Sequence, residues 1–364
     1  MTNVYFITGF PGFIASSLLT SLVKEFTPEK IYLLVLPSMK EKAKHEMEKI
    51  SFTHNYPQEK WQIVEGDITK ENFSLNREQI SKLAQSVTHV FHLAAIYDLA
   101  VPQRLAYEVN VQGTKHVNDW LFSLQRLQRY VYFSTAYVSG RRRGTILETE
   151  LDMGQSFKNH YEKTKYEAEL VVREVAQHLP TTIIRPGIVV GHSKTGETIK
   201  FDGLYFMLNL FERLKFLPFI PYLGKGEAEG NFVPVDYIVK ATLYLAHFDD
   251  AVGKTYHLTD PKPYKMKDVY RMMMKEYLGK EPKGMIPLTV AKWLMSIPFL
   301  RKWLHIEKEA LDYFTCTAVY DSSEAQSVLQ PAGIICPDFQ EVIQTMVRYY
   351  REHKNDTTKQ IPIR

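Results

Sequence analysis

The run VYFIT, residues 4–8, passes without a break into TGFPGFIA, residues 8–15, and then into an amphipathic stretch that extends to Phe26. A β-branched and aromatic run, a glycine turn and a 3.6-residue periodicity, in that order, describe a strand feeding a helix. Gly9 and Gly12 let the backbone turn tightly and approach an anion. The helix that follows offers unpaired N–H groups and the positive end of its dipole. Ala15 stands where a small residue lets helix and strand pack closely. At the first strand–helix junction, such a turn predicts a phosphate cradle built from Thr8, Gly9, Phe10, Pro11, Gly12, Phe13 and Ile14.

The alternation continues. IYLLV (31–35), WQIV (61–64), HVFHL (89–93), YVYFS (130–134) and TTIIR (181–185) read as strands, separated by amphipathic stretches such as YEKTKYEAELVVREVAQHL. This predicts βαβ units and an α/β fold: a Rossmann-type doubly wound parallel sheet with its ligand crevice at the carboxyl ends of the strands. Past Arg185 the alternation weakens, and the chain from Gly191 to Gly230 is rich in Phe, Leu, Pro and Gly. FVPVDYIVKATLYLAHF (232–248) resumes as a helix and KTYHLT (254–259) as a strand; from Asp260 helices cut by prolines follow. The predicted division is a dinucleotide-binding domain of residues 1–191 and 231–260 and a smaller, mostly helical substrate lobe of residues 192–230 and 261–364, ending in a polar tail that frays.

Composition removes several classes of function. With 45 Lys and Arg against 41 Asp and Glu, the net charge of +4 is too small to mark a nucleic-acid surface. Cys316 and Cys336 have no CxxC spacing and no neighbouring histidine, and HExxH is absent, so no metal site and no disulfide scaffold are expected, and a reducing cytoplasm is. The start MTNVYFITGF lacks the basic and apolar regions of a signal peptide. The most apolar stretch, LYFMLNLFERLKFLPFIPYL, is broken by Glu212, Arg213, Lys215 and prolines, so no transmembrane segment is expected.

Two places carry chemistry. After the second strand comes LLVLPSMKEKAK. A carboxylate there would bind the ribose 2′-hydroxyl of NAD, and a basic residue the 2′-phosphate of NADP. No carboxylate ends the strand, and Ser38, Lys40 and Lys42 follow, which favours NADP(H) over NAD(H); the two lysines also fit an ordinary solvated helix start. The other place is YEKTK, residues 161–165, downstream of a strand that ends in Ser134 and Thr135. On a helix Tyr161 and Lys165 share a face. Hydride transfer to a carbonyl builds charge on oxygen, and a phenol of pKa ~10 needs a nearby ammonium to work as an acid near neutral pH. A hydroxyl such as Thr135 can hold the oxygen beside it.

With these motifs in place, the chain resembles an extended short-chain dehydrogenase/reductase over roughly its first 260 residues. TGFPGFIA resembles that family's TGxxGxxG turn. GDI (66–68) is similar to the stretch that contacts adenine, which implies Asp67 and Ile68. HLAA (92–95) resembles the strand end that supports the cofactor, which implies Leu93, Ala94 and Ala95. NVQGT (110–114) resembles the motif whose asparagine, here Asn110, props the active site through water. STAYVSG and YEKTK match the Ser/Thr–Tyr–Lys set, with Thr135, Tyr161 and Lys165 in the three catalytic roles; Ser134, Tyr161 and Lys165 would also touch the cofactor. RPG (185–187) resembles the loop beside the nicotinamide, which implies Pro186, Gly187 and Ile188. GFPGFIA, HLAAIYDLAVP, SGRRRGTILE, RPGIVVGHSKTGE and VPVDYIV further resemble the branch of fatty acyl reductases and carrier-protein thioester reductases. That likeness implies reduction of an acyl thioester or long-chain aldehyde with NADPH, a substrate carried by coenzyme A or an acyl carrier protein, and possible homodimers. Where the branch often carries an arginine after the second strand, this chain has Leu36.

Other patterns allow two readings. His89 and His92 face opposite sides of a strand and read as packing residues rather than ligands. Arg141, Arg142 and Arg143 suit either a thioester carrier's phosphate or a solvated loop. FMLNLFERLKFLPFIPYL suits an acyl tunnel or a packed lobe core. VAKWLMSIPFLRKWL suits a membrane surface, or packing on the first lobe. Alternatives to an acyl reductase are a nucleotide-sugar epimerase or dehydratase, a small carbonyl reductase, and a non-catalytic nucleotide sensor.

Overall fold

β1 (Val4–Thr8) is buried along its whole length, as a strand with both faces covered must be. It lies at the centre of the computed structural model, which describes residues 3–97, 101–306, 311, 314–315 and 317–361. β2 (Lys30–Val35) and β3 (Trp61–Glu65) lie to one side of it; β4 (His89–His92), β5 (Arg129–Phe133), β7 (Thr181–Pro186) and β11 (Thr255–Leu258) lie to the other. All pairs in this seven-stranded sheet are parallel, in the order β11-β7-β5-β4-β1-β2-β3. The winding reverses between β1 and β4, where Thr8 pairs with both Leu34 and His92. That reversal opens the crevice of a doubly wound sheet at the carboxyl ends of these strands.

Helices cover both faces. α1 (Phe13–Glu25), α2 (Lys40–His54) and α8 (Val235–His247) bury apolar side chains against one face. α3 (Arg77–Ser86), α5 (Gly113–Leu121) and α6 (His160–Val175) do so on the other. The short α4 (Gln103–Ala106) runs into a π turn, Tyr107–Gln112, that leads into α5. A separate hydrophobic cluster is built from α7 (Tyr205–Leu214), α9 (Met266–Leu278), α10 (Leu288–Leu294), α11 (Pro298–Leu304) and α13 (Phe339–His353). No helix among the described residues is long and apolar enough to cross a membrane.

Two segments differ from the sequence pattern. FVPVDYIVKATLYLAHF is not one helix: Phe232–Pro234 forms β10, paired with β8 (Ile188–Val190), and α8 begins at Val235 after Pro234. Residues 318–336, placed with the helical lobe by their pattern, pack on the sheet instead. β13 (Ala318–Tyr320) pairs with β6 (Gly144–Ile146). α12 (Ser323–Leu329) buries Ala325 and Leu329 in the core under α1 and α8. The physical reason is Glu148. Its buried carboxylate accepts the N–H groups of His257 (2.8 Å), Glu324 (2.8 Å) and Ala325 (3.2 Å), which fastens the start of α12 to β11. The last short ladder joins β9 (Tyr222–Leu223) to β12 (Met285–Ile286). Cys316 lies outside the described residues.

Candidate active site

A cavity of about 910 Å³ begins at the carboxyl edge of the sheet and runs into the helical cluster. Its first wall is the turn after β1. Gly9 has φ +88°, and a Cβ there would sit 2.8 Å from Ala94 N, at the end of β4. Gly12 caps α1, donates to Gly9 O at 2.8 Å, and would bring a Cβ within 2.7 Å of that same oxygen. Only glycine fits either place, and the result is a backbone concavity at the start of α1, whose first N–H groups lack helical partners. Thr8 to Ile14 all line the cavity. This is the cradle a pyrophosphate requires.

Thr8 also fixes the distance between β1 and β4. Its hydroxyl accepts from Ala94 N (3.1 Å) and meets His92 Nδ1 (2.7 Å). His92 Nε2 meets Thr114 Oγ1 (3.1 Å), whose own proton goes to Asn110 O (2.6 Å). The network requires a neutral imidazole protonated on Nε2. Burial, with the charge of Lys165 adding to it, pushes His92 down to about 3, which keeps the ring neutral. His89 faces away, beside Tyr5 and His247.

Leu93, Ala94, Ala95, Asp67 and Ile68 line the same space, and the Asp67 carboxylate accepts from Thr69 N (2.8 Å). Beyond β2, the cavity wall is Leu36, Met39 and Lys42. Ser38 is exposed and Lys40 pairs with Glu65 at 2.7 Å; neither is brought to the wall.

The strand end Phe133–Thr135, the start of α6 and Pro186–Ile188 form the middle of the cavity. Asn159 caps α6, its side chain accepting from Glu162 N at 2.9 Å, and this sets Tyr161 and Lys165 in the first turns. Tyr161 and Thr135 both line the cavity here. Burial raises the Tyr161 phenol well above its ordinary value, with Thr135 opposing and Glu162 adding to the rise. Lys165 Nζ donates to Phe133 O (2.5 Å) and Tyr132 Oη (3.0 Å) and stands 4.5 Å over the Tyr132 ring. Burial pulls this ammonium down to about 7, with Glu169 opposing. Asn110 is buried in the π turn and does not line the cavity. Its Oδ1 accepts from Ile96 N (2.9 Å) and its Nδ2 donates to Thr164 Oγ1 (3.0 Å), which ties the loop after β4 to α6.

Residues 7–242 match a family model described as Male sterility protein. The chain belongs to the male sterility protein family. Its type is the extended short-chain dehydrogenase/reductase, a group of NAD(P)-dependent oxidoreductases. Among curated relatives, the non-canonical nonribosomal peptide synthetase cpsA of Aspergillus campestris is 28% identical over 74% of this chain and 27% of its own length. The fatty acyl-CoA reductase wat of Drosophila melanogaster is 26% identical over 66% of this chain and 53% of its own length. The chain therefore spans about a quarter to a half of these relatives. The fold is also that of the terminal R domain from the myxalamid PKS-NRPS pathway, with a TM-score of 0.80 at 24% identity, covering 98% of this chain and 92% of that one.

In this family member one buried group escaped the sequence reading. Glu169 accepts from Ser134 Oγ (2.5 Å) and from Arg185 Nη2 (2.6 Å) and Nε (3.0 Å). Burial pushes Glu169 up, but Arg185, Arg173 and Ser134 outweigh it and hold the carboxyl below its ordinary value. The spacing Tyr161, Lys165, Glu169 on one helix face was the available signal. Of the three arginines after β5, Arg142 pairs with Glu150 at 2.7 Å and Arg141 donates to Phe157 O at 3.3 Å.

Proposed function

We propose that the chain is an NADPH-dependent reductase that delivers hydride to the carbonyl of a fatty acyl thioester or a long-chain aldehyde. The observation that carries this reading is one continuous cavity. It starts at the glycine cradle, passes Thr135, Tyr161 and Lys165, and ends among Leu204, Phe206, Met207, Leu210 and Phe314. In this assignment the cradle residues hold the pyrophosphate, Asp67 and Ile68 the adenine, and Leu93–Ala95, Ser134 and Pro186–Ile188 the nicotinamide half. Lys42 takes the part first given to Ser38 and Lys40, beside the 2′-phosphate. Residues 192–230, with α9, α10, α11 and α13, form the substrate lobe.

A bound nicotinamide would supply the hydride. As the carbonyl is reduced, charge would collect on oxygen, and the Thr135 and Tyr161 hydroxyls are the donors assigned to hold it. Burial keeps Tyr161 protonated at neutral pH, so the phenol has a proton to give. With an aldehyde, that proton completes the alcohol. With a thioester, the tetrahedral oxyanion collapses, the C–S bond breaks, the thiolate leaves and takes up a proton, and an aldehyde remains. Lys165, held under the strand end by Phe133 O, is assigned to the ribose. The expectation that its ammonium lowers the Tyr161 phenol is not met, since burial raises that phenol and Lys165 is not among the groups that shift it. A nucleotide-sugar substrate fits less well: past Tyr161 the wall is aliphatic and aromatic, with Thr198, Lys200 and Asp202 as its polar groups.

The test is NADPH oxidation measured across acyl-CoAs, acyl-carrier thioesters, long-chain aldehydes and UDP-sugars. Turnover confined to the acyl substrates supports the reading. Turnover confined to UDP-sugars overturns it.

A further inference from the structure

The outer side of the helical cluster is built the wrong way round for a wall facing water. α10 and α11 bury Ala291 and Leu304, yet they turn Trp293, Ile297, Phe299 and Trp303 outward; Phe299 is 79% exposed and Trp293 65%. The loop after α7 adds Phe216 at 70% and Phe219 at 55%. The loop after α7 is tied to the segment that leads into α10. Lys283 N donates to Ile220 O at 3.1 Å, Lys280 Nζ donates to Lys215 O and Leu217 O at 2.9 Å each, and β9 pairs with β12. Scattered exposed apolar residues need no explanation, but a contiguous aromatic patch does.

The charge around the patch is mainly positive. Residues 280–305 carry Lys280, Lys283, Lys292, Arg301 and Lys302 against Glu281. Beside Phe216 and Phe219 the basic Arg213, Lys215 and Lys225 are matched by Glu212, Glu227 and Glu229, and Lys215 pairs with Glu212 at 3.0 Å. Such a collar disfavours a second copy of this chain, because a two-fold contact would set like charges against one another. It suits an anionic surface. Trp and Phe beside Lys and Arg is the composition of a segment lying in the plane of a lipid headgroup layer.

We infer that this face docks the protein on an anionic lipid membrane. The aromatic side chains enter the headgroup layer, and the lysines and arginines meet lipid phosphates around them. α11 leads directly to Ile306, which lines the apolar end of the cavity, so docking sets that end beside the bilayer. The inference stands on the surface alone and does not need the catalytic assignment.

The full chain is mixed with phosphatidylcholine vesicles with and without phosphatidylglycerol, and bound protein is measured by co-sedimentation. Binding to the anionic vesicles only, weakened by salt, is expected. Trp61 and Trp120 are buried, so quenching of tryptophan emission by brominated acyl chains reports Trp293 and Trp303. Lys283→Gln with Lys302→Gln is expected to weaken binding roughly fivefold per charge. Trp293→Ser with Phe299→Ser, both outward, is expected to abolish quenching while the circular dichroism spectrum is kept. The inference is overturned if anionic vesicles do not bind the protein, or if both double variants bind as the parent does. It is equally overturned if the parent sediments as a dimer that the Trp293→Ser/Phe299→Ser variant turns into a monomer, or if only an acidic carrier protein binds this face.

Discussion

Tyr161 sits with its ring edge-on to Tyr97, centroids 5.2 Å apart, and shares the cavity wall with Thr135. Tyr161→Phe removes the oxygen and leaves the ring contact. Turnover on the best substrate is expected to fall ~100- to 10,000-fold with NADPH affinity kept; near-native turnover in that variant removes Tyr161 from the mechanism. Lys165 makes a different prediction. Its folded value, about 7, lies below its ordinary 10.5. Between those values the unfolded chain binds more protons than the folded one, so the lysine's destabilising effect is relieved as pH rises through that window. A dinucleotide phosphate favours the ammonium and works in the opposite sense. At about pH 8, NADPH binding should therefore take up protons, seen calorimetrically as a heat that changes with the buffer's ionisation enthalpy. Lys165→Met should abolish that dependence. The Tyr161–Lys165 pair was legible because helix periodicity is local. The Lys165 bonds to Phe133 and Tyr132 were not, since the sheet brings those residues in from another element. Lys40 and Lys42 could not be told apart for a related reason: two positions on a helix start point differently, and only the β3 partner Glu65 decides which one is drawn away.

At the scale of elements, α6 is held by a buried charge pair rather than by apolar packing alone. Glu169 and Arg185 are both fully buried. They connect α6 to the ends of β5 and β7, the three elements that meet at the middle of the cavity. Arg185→Met leaves a carboxylate without its main partner, and chemical denaturation should show a loss of about 3–5 kcal/mol. Glu169→Leu combined with Arg185→Met should cost less than Arg185→Met alone, because no charge is then stranded. If the double variant is the less stable, the pair holds more than its desolvation cost. The seven strands were readable from β-branched runs, since period and composition are local properties. Residues 318–336 were not, because α12 is seated by Glu148 and β13 by β6, partners far upstream in the chain.

At the scale of the whole molecule, the cavity joins the sheet edge to the helical cluster, and its length sets the substrate expectation. Each buried methylene contributes about 0.8 kcal/mol, roughly fourfold in kcat/KM. Efficiency should climb with aldehyde chain length until the cavity is full; a flat profile from butanal to dodecanal rejects an acyl tunnel. Cofactor choice is tested with Lys42→Glu, which should weaken NADPH more than NADH in isothermal titration. Equal loss of both places Lys42 away from the 2′-phosphate.

The return of residues 318–336 to the sheet has a mechanical consequence. The chain passes from the sheet-side core to the helical cluster after β8, back at β10, out again after β11, back at β13 and α12, and out once more into α13. Five covalent straps crossing one boundary do not make a hinge. Rotation about any one strap is opposed by the other four, so the two cores can slide by small amounts but not gape. On the proposed function, a long acyl chain would thread in lengthwise, tail first toward Phe314, and leave by the same route. Release of a product that still fills the passage, rather than the hydride step, becomes the natural candidate for the slowest event in the cycle.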